Sequence, residues 1–164
     1  MRGAAPGSPA AALRLDADEQ ELIGLELDGL GPVRSPERRR AWEDLARAAA
    51  GGSVPAELVP LLERLVAVSL ESGRARRRYL AEGERVLTRL FRRTPSGREL
   101  QESLNGVNEA LEVLHGRKVE SVEVALRTLG HIRVALDTDG VRLVLSVRPG
   151  AVLVESLTVT GSEG

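Results

Sequence analysis

The spacing of apolar residues changes at Gly116, and this change limits the folds open to the chain. Before Gly116, apolar and small residues recur at alternating steps of three and four, the period of helices that pack along one face. After it, Val, Ile and Leu alternate with other residues, which is the period of strands. This order predicts an α+β fold, with a long helical hairpin plus a C-terminal four-stranded antiparallel β-meander.

Local signals predict three helices, over residues 36–50, 60–93 and 97–115. Ser35 and Pro36 have the residue types of an N-cap and a first helical position. Ser96 and Glu99 have the spacing of a capping box that opens the third helix. The second and third helices are expected to form the antiparallel hairpin, since their connection is short.

Four strands are expected within residues 119–159. Asp139-Gly140 and Pro149-Gly150 separate alternating runs and have the composition of tight turns. The first run, over 119–129, leaves two interpretations open, because VESVEVALRTL also fits a helix.

Composition sets the expected domain limits. Residues 1–14 are rich in Ala, Gly and Pro and are expected to be disordered, and residues 161–164 form a frayed tail. Residues 15–34 form an acidic–apolar segment whose alternation fits a short strand, although one or two helical turns also fit. A single α+β domain is expected over 35–160.

The long helix over 60–93 carries a seam with bulky ends and a middle of small and polar residues. The predicted third helix is only about half as long, so it cannot cover the whole seam. We therefore expect the uncovered part to contact the sheet, the N-terminal helix or a second subunit, and favour a dimer. The predicted oligomer seam consists of Leu65, Val68, Ser72, Ala75, Tyr79, Gly83, Val86 and Leu90.

Arginines are dense on the other side of the same predicted helix. A stripe within about 60° at 100° per residue could contact a polyanion or an acidic partner. Against this, arginine outnumbers lysine throughout, and Glu71 and Glu82 lie on or beside the same face, as on a solvated helix back. An acidic partner could also be the chain's own segment 16–28, in cis or in trans. The stripe consists of Arg74, Arg78, Arg85, Arg89 and Arg92.

The sequence offers little for site chemistry. It contains no cysteine, and its two histidines, His115 and His131, are expected at a helix end and a strand start. We expect no catalytic residues, no metal site and no cofactor, hence not an enzyme. No apolar run reaches the roughly 20 residues of a membrane span. We expect a cytoplasmic protein that does not bind membranes.

Three hypotheses for function follow. The first is a non-catalytic protein–protein interaction module, a homo-oligomeric adaptor or assembly factor that uses the long amphipathic helix and binds an unknown protein partner. The second is a nucleic-acid-associated protein that contacts phosphates through the arginine stripe. The third is a small-ligand-binding or enzymatic domain with a pocket between sheet and helices.

Overall fold

The computed structural model describes residues 12–31 and 35–159. The chain forms two compact units, the first ending at Pro95 and the second beginning at Ser96, where the sequence predicted one domain over 35–160. The described residues of each unit have a hydrophobic core of their own, which explains the division. Most of the segment predicted as disordered, 1–14, and the whole predicted tail, 161–164, lie outside the described residues.

The acidic segment forms a helix, α1, over Ala17–Asp28. The Asp16 carboxylate accepts a hydrogen bond from the Glu19 N–H at 2.9 Å, and the Glu19 carboxylate accepts one from the Asp16 N–H at 3.0 Å. This reciprocal capping box satisfies two N–H groups at the helix start. The short strand that the alternation favoured is therefore wrong, and the helix is longer than the alternative of one or two turns.

Two further elements of the first unit lie next to α1 in sequence. Leu13–Arg14 forms a short strand, β1, that pairs antiparallel with β2 over Ser53–Val54. The end of the segment predicted as disordered is thus ordered by pairing with a strand distant in sequence. Helix α2 covers Pro36–Ala50, as predicted, and the Ser35 hydroxyl accepts from the Arg38 N–H at 3.4 Å.

The predicted single helix over 60–93 is wrong, because the structure has two helices there. A short 3-10 turn over Ala56–Leu58 leads into α3, over Val59–Glu71, and α4 follows over Arg74–Arg92 with a kink at Leu80, whose backbone is not helical. Between them Gly73 adopts a left-handed conformation with φ of 67°, which glycine reaches without steric penalty. The two helices pack against each other, so a helical hairpin forms inside the segment predicted as one rod.

The core of the first unit is aliphatic. Side chains from α1, α2, α3 and α4 meet in it, and its largest fully buried members include Ile23, Leu45, Leu62, Leu87 and Leu90. Because α4 returns along α3, the apolar sides of both helices are buried in the same core. Burial of these side chains, each contributing about 1.5–3 kcal/mol, holds the unit together.

The second unit contains one helix and one sheet. Helix α5 covers Pro95–Glu112 and corresponds to the predicted helix over 97–115. Four antiparallel strands follow in the order β3-β4-β5-β6. They cover Val119–Thr128, His131–Thr138, Val141–Arg148 and Ala151–Val159. The predicted α+β class with a C-terminal four-stranded meander is confirmed, and residues 119–128 form a strand rather than a helix.

Helix α5 lies on one face of this sheet. Val107 packs with Leu143 and Leu145 of β5, and Ala110 and Leu114 pack against the same cluster. The Ser103 hydroxyl bonds to the backbone of β6: it donates to the Val152 carbonyl and accepts from the Val152 N–H at 3.0 Å. These contacts place α5 over β5, with the Ser103 side of the helix toward β6.

Candidate functional site

The seam that the sequence predicted for self-association is mostly internal. Five of its eight residues are buried in the described structure, and Tyr79 is half-buried. Only Val68 and Ser72, near the end of α3, are exposed. Because the chain reverses at Gly73, the seam is divided between α3 and α4, and these two helices pack against each other instead of leaving part of one long helix uncovered. The buried members are Leu65, Ala75, Gly83, Val86 and Leu90.

Two members of the predicted arginine stripe bind carboxylates of α1 and of its cap. Arg74 donates from Nη2 to the buried carboxylate of Glu26. Arg89 donates from Nη2 to Asp16 at 2.7 Å, and its Nε lies 3.6 Å from Glu19 Oε1. The acidic segment 16–28 therefore contacts the arginines of its own chain.

Arg93, which flanks the stripe, completes this network. Its Nη2 donates to Glu19 Oε2 at 2.6 Å and to the Arg14 carbonyl at 3.0 Å. Glu19 and Glu26 are both fully buried, and they lie two helical turns apart on one side of α1. Buried carboxylates need charged partners, so this network fixes α1 against α4.

The remaining stripe arginines are more exposed. The Arg85 guanidinium donates to Glu82 at 2.5 Å, and that carboxylate raises the pKa of Arg85. The Arg78 guanidinium carbon lies 5.8 Å from the centre of the Tyr79 ring. Arg85, Arg89 and Arg92 line an open groove of about 610 Å³ on α4, which Glu84 also lines. This surface of α4 therefore carries a negative charge, from Glu84, as well as the positive charges of the arginines.

A serine–histidine contact in the sheet had no signal in the sequence. His131 Nε2 lies 2.7 Å from Ser146 Oγ, to which Arg148 Nε also donates at 3.2 Å. Ser146 is buried, so both contacts satisfy a hydroxyl that would otherwise be unpaired. In the described residues, no carboxylate is bonded to His131 to orient it as a general base would require. The contact joins β4 to β5.

Two further observations concern the described residues alone. No three His, Asp or Glu side chains come together there as metal ligands would. None of the described helices has the length and apolarity needed to cross a bilayer.

The sheet has one aliphatic face. Cross-strand register groups its side chains into three rows of four, running from β3 to β6. Every member of the rows is Val, Leu or Ile, and side chains directly opposite each other point to the same face. The rows are Val122, Leu136, Leu143 and Leu157; Val124, Val134, Leu145 and Val154; and Leu126, Ile132, Val147 and Val152.

A bulge in β6 keeps this face aliphatic. The register shifts between Val144 and Leu145, so Glu155 is left without an opposite residue. In a regular strand with no bulge, Val154 and Leu157 are three residues apart and would point to opposite faces. The other face, which we call the polar face, carries the charged side chains of the sheet, with Arg142 paired to Asp137 at 3.2 Å and Arg127 paired to Glu155 at 3.0 Å. It also includes the apolar residues Ala135, Val144 and Leu153.

The β3 end of the aliphatic face is uncovered. Val122 is 56% exposed, Val124 66% and Leu126 70%, and we call these three residues the β3 flank. Helix α5 is about 10 Å across, whereas four strands about 4.8 Å apart make a face about 14–19 Å wide. One helix over β5 therefore leaves the β3 flank in solvent. An exposed aliphatic patch of this kind is typical of an interaction surface.

Comparison with known proteins found no match to a family model, to a curated protein or to a solved structure. The functional assignment therefore rests on the surfaces of the chain itself.

Proposed function

We propose that this chain is a non-catalytic protein-interaction module that self-associates through the β3 flank. The seam of α3 and α4 does not supply this surface, because its bulky members are largely buried within the first unit. The observation that supports the proposal is the exposure of three neighbouring aliphatic side chains on a face whose β5 members Leu143 and Leu145 are buried against α5.

The free energies involved are of the right order. Each side chain of the β3 flank is more than half exposed, so burying the rest contributes about 1–2 kcal/mol. A two-fold interface counts each contribution twice, which gives about 6–12 kcal/mol for three residues. Association costs about 4–15 kcal/mol in lost translational and rotational freedom. The β3 flank can therefore support a dimer together with neighbouring contacts.

Sedimentation velocity over a range of protein concentrations tests the proposal. We expect the unmodified chain to form a dimer and Val124→Glu to shift it to monomer, because the substitution places a charge in the interface. Thr158→Glu is the matched control, since it adds the same charge at an exposed position on the polar face of β6. A chain that stays monomeric at the highest concentration would contradict the proposal.

The arginine stripe offers less support for nucleic-acid binding. Arg74 and Arg89 bind carboxylates of α1 and its cap, and Arg85 binds Glu82. Each phosphate contact by these residues would have to displace an existing ion pair. No observation on the described residues favours this second hypothesis over self-association.

A further inference from the structure

Because α5 lies over β5 and the β3 flank is uncovered, the two form a step that we call the groove, with the flank as its floor and one side of α5 as its wall. On a helical wheel at 100° per residue, Ser103 and Ala110 lie on one side of Val107, and Leu100, Leu104 and Leu111 lie on the other. Ser103 bonds to β6, so the side with Leu104 and Leu111 is directed toward β3. Leu104 is half-buried and Leu111 is exposed. The groove thus has valine and leucine on its floor and leucine on its wall.

The geometry points to one occupant of this groove: the β3–β4 hairpin of a second copy of the chain, which docks with its aliphatic face against the β3 flank. This inference rests on the proposed function and specifies how the two copies meet. It is an isologous contact, because each copy offers both a groove and a hairpin.

The depth of the groove fits a sheet. Stacked sheets pack about 10 Å apart, and a helix with its side chains is about 10 Å across. When two β3 flanks face each other at this spacing, the hairpin of one copy lies level with α5 of the other. The outer edge of β3 then meets the leucine wall formed by Leu104 and Leu111.

The chemistry of the groove favours a second copy as well. The three rows of the aliphatic face contain no charged or polar side chain, so two such faces bring no like charges together. The outward side of α5 is different, since it carries residues such as Asn105 and Glu109. That side cannot occupy the aliphatic floor without burying charge.

Pairing of β3 strands edge to edge is the main alternative geometry. The strand length open to it is limited to residues 121–126, because the β3–β4 register shifts between Val119 and Ser121 and between Leu126 and Thr128. Bulges of this kind interrupt a regular edge and reduce its pairing with other chains. Face-to-face docking needs no free backbone groups at the edge.

Cross-linking of introduced cysteines distinguishes the two geometries, because the chain contains no cysteine of its own. Opposite Cα atoms lie about 10 Å apart in stacked sheets, too far for a disulfide, and about 4.5–5.5 Å apart in paired strands, within reach of one. Val124→Cys and Glu123→Cys place one thiol each on the aliphatic and the polar face of β3. Face-to-face docking predicts a covalent dimer from Val124→Cys with a short bis-maleimide cross-linker, none from Glu123→Cys, and no disulfide from either variant under mild oxidation. Efficient cross-linking of Glu123→Cys, or a disulfide-linked dimer from either variant on oxidation, would overturn the inference.

A second pair of variants tests the wall. Leu104→Glu is expected to weaken the dimer at least about tenfold in dissociation constant, since it adds a charge to an apolar contact. Asn105→Glu, on the outward side of α5, is expected to leave it within about twofold. Circular dichroism and thermal unfolding confirm that each variant is folded.

The outcomes separate the inference from the proposed function. A dimer that forms normally with Leu104→Glu, or that cross-links through position 123, would contradict the docking geometry and leave self-association standing. A chain that remains monomeric throughout would contradict both. A dimer that requires Leu104 and cross-links only through position 124 supports both.

Discussion

Arg93 donates from Nη2 to Glu19 Oε2 across 2.6 Å, although 74 residues of chain separate the two. Glu19 is fully buried, and Glu26, on the same side of α1, is buried as well and bonded to Arg74. The acidic helix therefore contacts both ends of α4. Four predictions follow from this network and from the backbone of α4.

Removal of the arginine from the Glu26–Arg74 pair is expected to destabilise the chain more than removal of the glutamate charge. Arg74→Met leaves a buried carboxylate without its cation, which costs about 3–5 kcal/mol in the free energy of unfolding. Glu26→Gln leaves an arginine that still reaches solvent, so we expect a loss of about 1 kcal/mol. Urea denaturation of both variants measures the difference, and equal losses would contradict the prediction.

Gly83 is expected to tolerate no side chain. A Cβ at this position would lie 2.1 Å from the Cβ of Tyr79 in the same helix, so Gly83→Ala must change the backbone within α4 and should cost at least about 2 kcal/mol in the free energy of unfolding. Gly106 in α5 is the matched control, because a Cβ there would meet nothing within 4 Å. Gly106→Ala should stabilise by about 0.5–1 kcal/mol through helix propensity. If Gly83→Ala left the free energy of unfolding unchanged, the close contact between position 83 and Tyr79 would be contradicted.

Leu80 is strained, and glycine is expected to relieve the strain. It has φ of 60° and ψ of −164°, a region that side-chain-bearing residues rarely adopt, and it is 73% exposed. Leu80→Gly should therefore raise the free energy of unfolding by about 1 kcal/mol, since little packing is lost. Leu80→Ala keeps a Cβ and should bring no gain. Thermal and urea unfolding compare the two, and a gain with alanine instead of glycine would rule out backbone strain.

Tyr79 is expected to make stability depend on alkaline pH. Burial, and then the neighbouring Glu26 carboxylate, raise the pKa of the Tyr79 hydroxyl above its usual value of about 10. The folded state therefore favours the protonated phenol. This contribution is complete below pH of about 10 and is lost as the pH rises through the raised value.

Tyr79→Phe tests this contribution. As the pH rises above about 10, the free energy of unfolding of Tyr79→Phe should fall less than that of the unmodified chain. Phenolate absorbance reports the titration directly, because Tyr79 is the single tyrosine of the chain. A titration at or below pH 10 would contradict the raised pKa.

Local signals predicted the sheet and α2 because those elements depend on neighbours in sequence. Alternation of Val, Ile and Leu marked β4 and β5, and Ser35 with Pro36 marked the start of α2 at the residue observed. The bulge at Glu155 was not predicted, since the register of β6 depends on its partner strand. The capping residues Asp16 and Glu19 were a signal for α1 that the alternation of apolar residues concealed.

The reversal at Gly73 could not be predicted from periodicity. The three-four pattern continues through Ser72 and Gly73, because both halves of the hairpin bury their seams in one core. The burial of Glu19 and Glu26 depends on arginines some 48 to 74 residues away. Apolar alternation does not reveal such distant pairs. The sequence did raise the contact between segment 16–28 and the arginines as an alternative.

The position of these arginines affects the order of events during synthesis. Asp16 and Glu19 leave the ribosome early, whereas Arg89 and Arg93 emerge only when the first unit is nearly complete. Until then Glu19 lacks the two arginines that neutralise its buried carboxylate, and docking α1 would bury that charge unpaired. We therefore expect α1 to remain undocked and solvated until the end of α4 has been synthesised. The first unit would then fold as a whole rather than from its N-terminus onward.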